Sequence, residues 1–153
     1  MSCVKPTPSA GATSRPSDVA HEGRFELAPI APEFFVPDVD AAVAEYQEVL
    51  RYTLLRKEGA PATFAIGHIH GATIMFMHDR WYTGPRAELD SRGAGLDIRV
   101  MVPDVDAYRE RIRAAGWPVM HELGDREYGL RDFIVRDPNG FRLRFASPIP
   151  PRP

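Results

Sequence analysis

Apolar residues recur along the chain at two spacings, and the spacings change in the same order in each half. Residues 29–37 predict a strand that leads into a helix reaching about Leu50. The helix is predicted from apolar positions at helical spacing, which are Ala42, Val43, Tyr46, Val49 and Leu50. Three more strands are predicted at 52–57, 63–69 and 72–77, with a hairpin signal at His70-Gly71 between the last two.

The second half repeats this order after a long polar loop at 79–93. Residues 95–102 predict a strand, and the apolar positions of the helix that follows are Val105, Tyr108, Ile112 and Ala115. Gly116 suits the position just after a helix. Further strands are predicted at 117–122, 130–136 and 141–147. DPNG at 137–140 suits a type I turn followed by a left-handed glycine.

A repeated hexamer marks the same point in each half. VPDVDA occurs at 36–41 and again at 102–107, each time between a predicted strand and a predicted helix. Aspartate is a favoured helix cap, and the candidates are Asp38 or Asp40 in the first copy and Asp104 or Asp106 in the second. The final hairpins also match, with Phe64 over Phe133 and Gly71 over Gly140. These matches predict an internal duplication of a half-domain module.

The duplication predicts the fold class and the domain organisation. Two βαβββ modules in tandem, at about 28–78 and 94–147, predict an α+β fold in a single domain at 25–147. Its curved mixed sheets are expected to form a cup with the helices on the outer face. The Pro-, Ser- and Gly-rich residues 1–24 predict a disordered tail, and 148–153 predict a short C-terminal tail.

Composition narrows the functional classes. The formal net charge of −2 does not favour nucleic-acid binding, and no apolar run approaches the roughly 20 residues of a membrane span. The N-terminal residues have no apolar central region, so no secretory signal is predicted. A single cysteine, Cys3, allows no internal disulfide and fits a cytoplasmic protein. Cys3 lies in the predicted tail with no base beside it, so no catalytic role is expected for it.

The end of the second module resembles a known family. Residues 128–145, YGLRDFIVRDPNGFRLRF, are similar to the ending WGxREFxVxDPDGxxLxF, with Tyr128 where Trp is usual. This ending is typical of the bleomycin-resistance-like branch of the vicinal oxygen chelate superfamily, which includes glyoxalase I and extradiol dioxygenases. The resemblance covers about 25–147 and implies a small-molecule ligand and a homodimer.

The resemblance also implies where a metal would bind in the metal-using branches, through His, Glu or Gln side chains on four strands. The corresponding positions here are Ala31, Met75, Asp97 and Arg144. Alanine has no donor atom, methionine is a soft ligand, and arginine is permanently cationic. We therefore expect no metal at these positions and no cofactor. His68 and His70 share a strand face and are the alternative, displaced pair of ligands.

Strand alternation predicts which side chains point into the cup. They are Glu33, Phe35, Met75, Asp97, Arg99, Met101, Arg142 and Arg144. Their charges are explained either by a structural ion-pair network or by a pocket whose surplus arginine binds an anionic or carbonyl-bearing ligand. Trp81 and Tyr82 either stack on a planar ligand or pack within their loop or a dimer contact. Tyr128 either lines the pocket or belongs to the core.

Two hypotheses for function follow. The first is a metal-free protein that binds, and thereby sequesters, an antibiotic-like or other planar or anionic metabolite. The second is a lyase, isomerase or dioxygenase-type enzyme that uses Glu33 or Asp97 as a general base, or a metal at displaced ligands. A carboxylate among arginines has a lowered pKa and is a poor base near neutral pH, which favours the binding protein. Neither a nucleic acid nor a membrane is expected as a partner.

Overall fold

A computed structural model describes residues 30–149, and it contains the two predicted modules in order. The first comprises β1 (Glu33–Val36), α1 (Val39–Leu50), β2 (Thr53–Gly59), β3 (Ala62–Ile69) and β4 (Ala72–His78). The second comprises β5 (Ile98–Met101), α2 (Val105–Ala114), β6 (Val119–Asp125), β7 (Leu130–Arg136) and β8 (Arg142–Pro148). The predicted tail at 1–24 and the last four residues of the predicted tail at 148–153 lie outside the described residues.

Each module forms its own four-stranded sheet. Sheet 1 has the order β1-β4-β3-β2 and sheet 2 has the equivalent order β5-β8-β7-β6. The first and last strands of each module pair in parallel, and the other neighbours pair antiparallel. The two open, mixed sheets confirm the predicted α+β fold of tandem βαβββ modules. Between the modules, the connection contains two 3₁₀ turns, Asp79–Trp81 and Arg86–Ser91.

The repeated hexamer performs the same two tasks in each module. Its first aspartate caps the helix: the Oδ1 atoms of Asp38 and Asp104 accept hydrogen bonds at 2.9 Å from backbone N–H groups three residues later. Its second aspartate ties the helix to its own sheet. Asp40 accepts a 2.8 Å bond from the N–H of Ala62, and Asp106 accepts bonds from Arg131. The duplicated sequence therefore fixes how each helix sits against its sheet.

A single hydrophobic core joins the modules through their helix-bearing faces. Side chains that alternate with the predicted cup-facing ones are expected to pack under the helices, and Phe34, Val36, Val100, Leu143 and Phe145 are buried there, while Ile98 is partly buried. Hydrogen bonds also cross between modules, because Tyr46 Oη donates to Asp137 Oδ2 at 2.6 Å and Tyr108 Oη donates to the Leu50 carbonyl at 2.9 Å. The alternation of the strands thus assigned the core faces correctly.

The turn chemistry also agrees with the sequence. Gly140 has φ +98° and its N–H donates to the Asp137 carbonyl at 3.0 Å, as expected for DPNG. Gly116 follows α2 with φ +73°, as predicted. Within residues 30–149, no helix combines the length and apolar character needed to cross a membrane.

Candidate functional site

The open face of sheet 1 is filled by its own apolar side chains. Phe64, Ile66 and Met77 on this face are at most 2% exposed. The partly buried side chains of Phe35, Met75 and Trp81 pack against them. This half of the predicted cup therefore offers little polar surface to a ligand.

The two aromatic residues of the connecting loop contribute to this packing. Trp81 is partly buried against the face of sheet 1, and the guanidinium of Arg80 lies 5.4 Å from the centre of its ring. Tyr82 contacts Phe35 edge to face at 5.1 Å, and its hydroxyl donates to the Glu88 carboxylate. Trp81 therefore packs within the protein and is not an exposed surface on which a planar ligand could stack.

The open face of sheet 2 carries a continuous ionic network. Asp97 accepts bonds from Arg142 at 2.6 Å and from Arg144 at 3.3 Å. Arg144 also bridges to Asp132 at 3.0 Å, and Arg126 binds the same carboxylate at 2.7 Å. Because both aspartates have arginine partners, the network satisfies the ion-pair explanation offered by the sequence.

Two further side chains extend this surface. The hydroxyl of Tyr128 donates to Asp132 Oδ2 at 2.7 Å, while the residue remains 58% exposed. The exposed Arg99 holds its guanidinium 5.7 Å from the centre of the Tyr128 ring. Tyr128 is therefore a surface residue rather than a core one. We call this set the arginine face: Asp97, Arg99, Arg126, Tyr128, Asp132, Arg142 and Arg144.

Asp132 and Arg126 were absent from the residues predicted for the site. Asp132 lies in β7 on the face opposite to Phe133, and its side chain is fully buried. Strand alternation could have identified Asp132. Ile134 pairs with Arg144, so its side chain lies on the open face of sheet 2, and Asp132 lies two positions earlier on the same face. Arg126 lies in the turn between β6 and β7, where alternation predicts no direction.

The arginines keep both carboxylates ionised. The hydrogen bond from Arg142, with a further bond from Arg144, lowers the pKa of Asp97 below its ordinary range against the opposing effect of desolvation. Desolvation also raises the pKa of Asp132, but hydrogen bonds from Arg126, Tyr128 and Arg144 outweigh it and bring that pKa to about 2. A carboxylate with a lowered pKa is a weak proton acceptor, so Asp97 is poorly suited to general-base catalysis near neutral pH.

Glu33 does not join the arginines with which the sequence grouped it. It lies on β1 of sheet 1, and it has no ion pair within residues 30–149. Together with Phe35 and Tyr82, among other residues, it lines a cavity beside the connection between modules. The structure thus divides the predicted residues into two groups, one on each sheet.

The four positions that correspond to family metal ligands do not fit a metal ion. Met75 packs in the apolar cluster of sheet 1, and Ala31 supplies no donor. Arg144 is hydrogen-bonded to both Asp97 and Asp132, so a cation already occupies the carboxylates that a metal would need. Within the described part of the chain, no group of three or more His, Cys, Asp or Glu side chains could hold a metal ion.

The histidines proposed as displaced ligands have ordinary structural surroundings. His70 is an exposed turn residue with φ +45°, and its ring contacts Tyr108 at 5.6 Å. His68 is partly buried on β3, opposite Thr73 of β4. The neighbouring His78 accepts a 3.1 Å bond from the N–H of Arg80 and thereby caps a 3₁₀ turn.

Two tandem βαβββ modules with open sheets, one of them lined by charged side chains, define a two-module protein of the glyoxalase type. The chain belongs to the Glyoxalase/Bleomycin resistance protein/Dioxygenase superfamily, whose family model matches residues 27–145. The superfamily predicted from the sequence is therefore confirmed. No curated protein is similar enough to the chain to count as a match.

Solved structures share the fold over most of the chain. TioX from Micromonospora sp. ML1 is 26% identical with a TM-score of 0.66, over 80% of this chain and 99% of TioX. A superfamily member from Sphaerobacter thermophilus is 18% identical with a TM-score of 0.61, over 80% and 99%. Lactoylglutathione lyase from Agrobacterium tumefaciens is 20% identical with a TM-score of 0.60, over 78% and 92%. At these identities, the last two show the fold alone.

Proposed function

We propose that this protein binds a small anionic ligand on the arginine face without the help of a metal ion. The observation that carries the proposal is the charge of that face, where four guanidinium groups accompany two carboxylates. Three of the arginines neutralise the aspartates. Arg99 makes no ion pair within residues 30–149, and it is exposed beside the Tyr128 ring.

The chemistry of this surface suits a planar carboxylate or a similar anion. A guanidinium group binds a carboxylate through two parallel hydrogen bonds, so Arg99 provides both charge and direction. The exposed ring of Tyr128 adds an apolar surface next to that charge. The ion pairs beneath hold the arginine face in place before a ligand arrives, which reduces the entropy cost of binding.

Within the superfamily, we propose a place in the bleomycin-resistance-like branch, with sequestration of an antibiotic-like or other planar metabolite rather than its turnover. The ending at 128–145 supports this assignment, and the lowered pKa of Asp97 supports binding over acid–base catalysis. The single cysteine is compatible with the cytoplasm, which we propose as the location.

Binding of 2-naphthoate, measured by isothermal titration calorimetry at low salt, tests this function. We expect it to bind about tenfold more tightly than neutral 2-naphthamide, because a hydrogen bond to a charged group contributes about 1.5 kcal/mol. Arg99→Gln should remove most of this preference without changing the melting temperature, because the Arg99 side chain has no ion pair to lose.

Arg113→Gln is the matched control, because Arg113 is an exposed arginine whose one ion pair within residues 30–149 is with Glu110 on α2. It should bind 2-naphthoate as the unchanged protein does. The proposal fails if the unchanged protein shows no preference for the anion, or if Arg99→Gln keeps the preference in full.

We also propose a homodimer. The outer strands of each sheet have a partner strand on one side only, and exposed apolar side chains lie on three of these edge strands, Leu55 on β2, Met101 on β5 and Met120 on β6. Pairing with a second copy would remove these side chains and open edges from water. Sedimentation velocity at micromolar concentration should show a dimer, and a monomer at every concentration tested would refute the proposal.

A further inference from the structure

The cavity that Glu33 lines lies beside β1, where the connection between the modules passes the start of β5. Its volume is about 350 Å³, which is within the range of small-molecule sites. Aromatic and aliphatic side chains form most of its wall, including Phe35, Tyr82, Leu89, Leu96, Ile98 and Phe141. We call this space the Glu33 cavity, because the carboxylate of Glu33 is part of its lining.

The charged groups of the Glu33 cavity do not balance. Among the described residues of its lining Arg92 is the one cation, and all three of its donor nitrogens are engaged, by the Phe35 carbonyl, the Leu89 carbonyl and the Asp79 carboxylate. Glu88 accepts a hydrogen bond from Tyr82. The Glu33 side chain is partly buried, and its carboxylate makes no hydrogen bond or ion pair within residues 30–149.

We infer that the Glu33 cavity binds an organic cation with an apolar or aromatic body, which places its ammonium group at the Glu33 carboxylate. An unpaired carboxylate in a mainly apolar cavity is stabilised by a positive partner. Phe35 and Tyr82 also line the cavity, and aromatic rings attract cations through their ring electrons. An anion would meet two carboxylates and a guanidinium whose three nitrogens already donate to other groups.

This site differs from the arginine face in place and in ligand charge. The Glu33 cavity adjoins the first strand of sheet 1, whereas the arginine face is built on sheet 2. Charge complementarity therefore predicts opposite ligand preferences for the two surfaces. The inference does not depend on the proposed function, and variants of Glu33 and Arg99 separate the two.

Tryptamine and tryptophol test the inference, because they share an indole body and differ in an ammonium or a hydroxyl group. By isothermal titration calorimetry at pH 7, tryptamine should bind about tenfold more tightly than tryptophol. Glu33→Gln should reduce this preference to less than about twofold while leaving tryptophol binding unchanged. Tyr82→Leu should weaken both probes, because it removes part of the apolar wall.

Arg99→Gln is the control, and it should keep the full preference for tryptamine. Melting temperatures of the variants verify that each is folded. The inference is overturned if tryptamine does not bind saturably, as when a second copy of the chain covers the cavity. It is equally overturned if tryptophol binds as well as tryptamine, or if Glu33→Gln retains the preference.

Discussion

Asp132→Asn is expected to lower the free energy of unfolding by about 3 kcal/mol, because it breaks a buried ion pair from one side. The Asp132 side chain is fully buried, and it accepts hydrogen bonds from Arg126, Tyr128 and Arg144. Asparagine has nearly the same shape but no charge, so two arginines would lose their shared counterion. Urea unfolding at pH 7 measures the change, which should shift the midpoint and leave the denaturant slope unaltered.

Asp125→Asn provides the matched control. Asp125 also pairs with an arginine, Arg131, but its side chain is 60% exposed, so we expect a change below about 1 kcal/mol. Equal effects of the two substitutions would mean that burial of Asp132 does not strengthen its ion pairs.

The acid dependence of stability adds a second measurement of the same carboxylate. The pKa of Asp132 falls from an ordinary 3.8 to about 2 in the folded protein. Its contribution to stability is therefore complete above about pH 4 and is lost as the pH falls towards 2. Between about pH 4 and pH 2, the free energy of unfolding should therefore fall less in Asp132→Asn than in the unchanged protein.

Short-range patterns predicted most of the fold. The helices, their caps and the core faces follow from periods of 3.6 and 2 residues and from favoured turn residues, all of which act within a few positions. The strand Leu130–Arg136 was predicted with its observed limits, because turn residues flank its apolar run on both sides. The repeated hexamer then predicted two equivalent modules, and each of them forms one four-stranded sheet of the same strand order.

The site was less predictable, because its contacts join distant parts of the chain. Asp97 and Arg142 are 45 positions apart, and strand alternation placed both side chains on the same open face. Arg126 binds Asp132 from a turn, where alternation predicts no side-chain direction. The position of Trp81 was also open, because a polar loop can either project into solvent or fold over a sheet. The separation of Glu33 from the arginines depends on how the modules pack, which no local pattern contains.

The duplicated modules have diverged on their open faces. Sheet 1 covers its face with Phe64, Ile66 and Met77 under Trp81, while sheet 2 carries the arginine face at the equivalent place. Apolar side chains occupy the open face of sheet 1 at this place, whereas charged side chains on sheet 2 offer polar groups to a ligand. The two halves therefore share one fold while presenting different side chains on their open faces.

Gly67→Ala is expected to lower the free energy of unfolding by about 3 kcal/mol, because β3 has no space for a side chain at this position. A Cβ atom there would lie 2.2 Å from the backbone oxygen of Thr53 and 2.5 Å from the Tyr52 ring. The Thr53 oxygen belongs to the neighbouring strand and cannot move without disturbing the sheet. Tyr52 is held as well, because its hydroxyl donates to the Ile74 carbonyl at 2.9 Å.

Gly124→Ala is the control that isolates the steric cause. Gly124 also lies in a strand, but the nearest atom to a Cβ there is a guanidinium nitrogen of Arg126 at 3.4 Å, which is an ordinary van der Waals contact, so we expect a change within about 0.5 kcal/mol. Both substitutions reduce the freedom of the unfolded chain equally, so their difference in urea unfolding measures the folded state alone. If both substitutions change the free energy of unfolding only slightly, β2 can move away from β3 at little cost. The close packing of Thr53 and Tyr52 against Gly67 would then not stabilise the sheet.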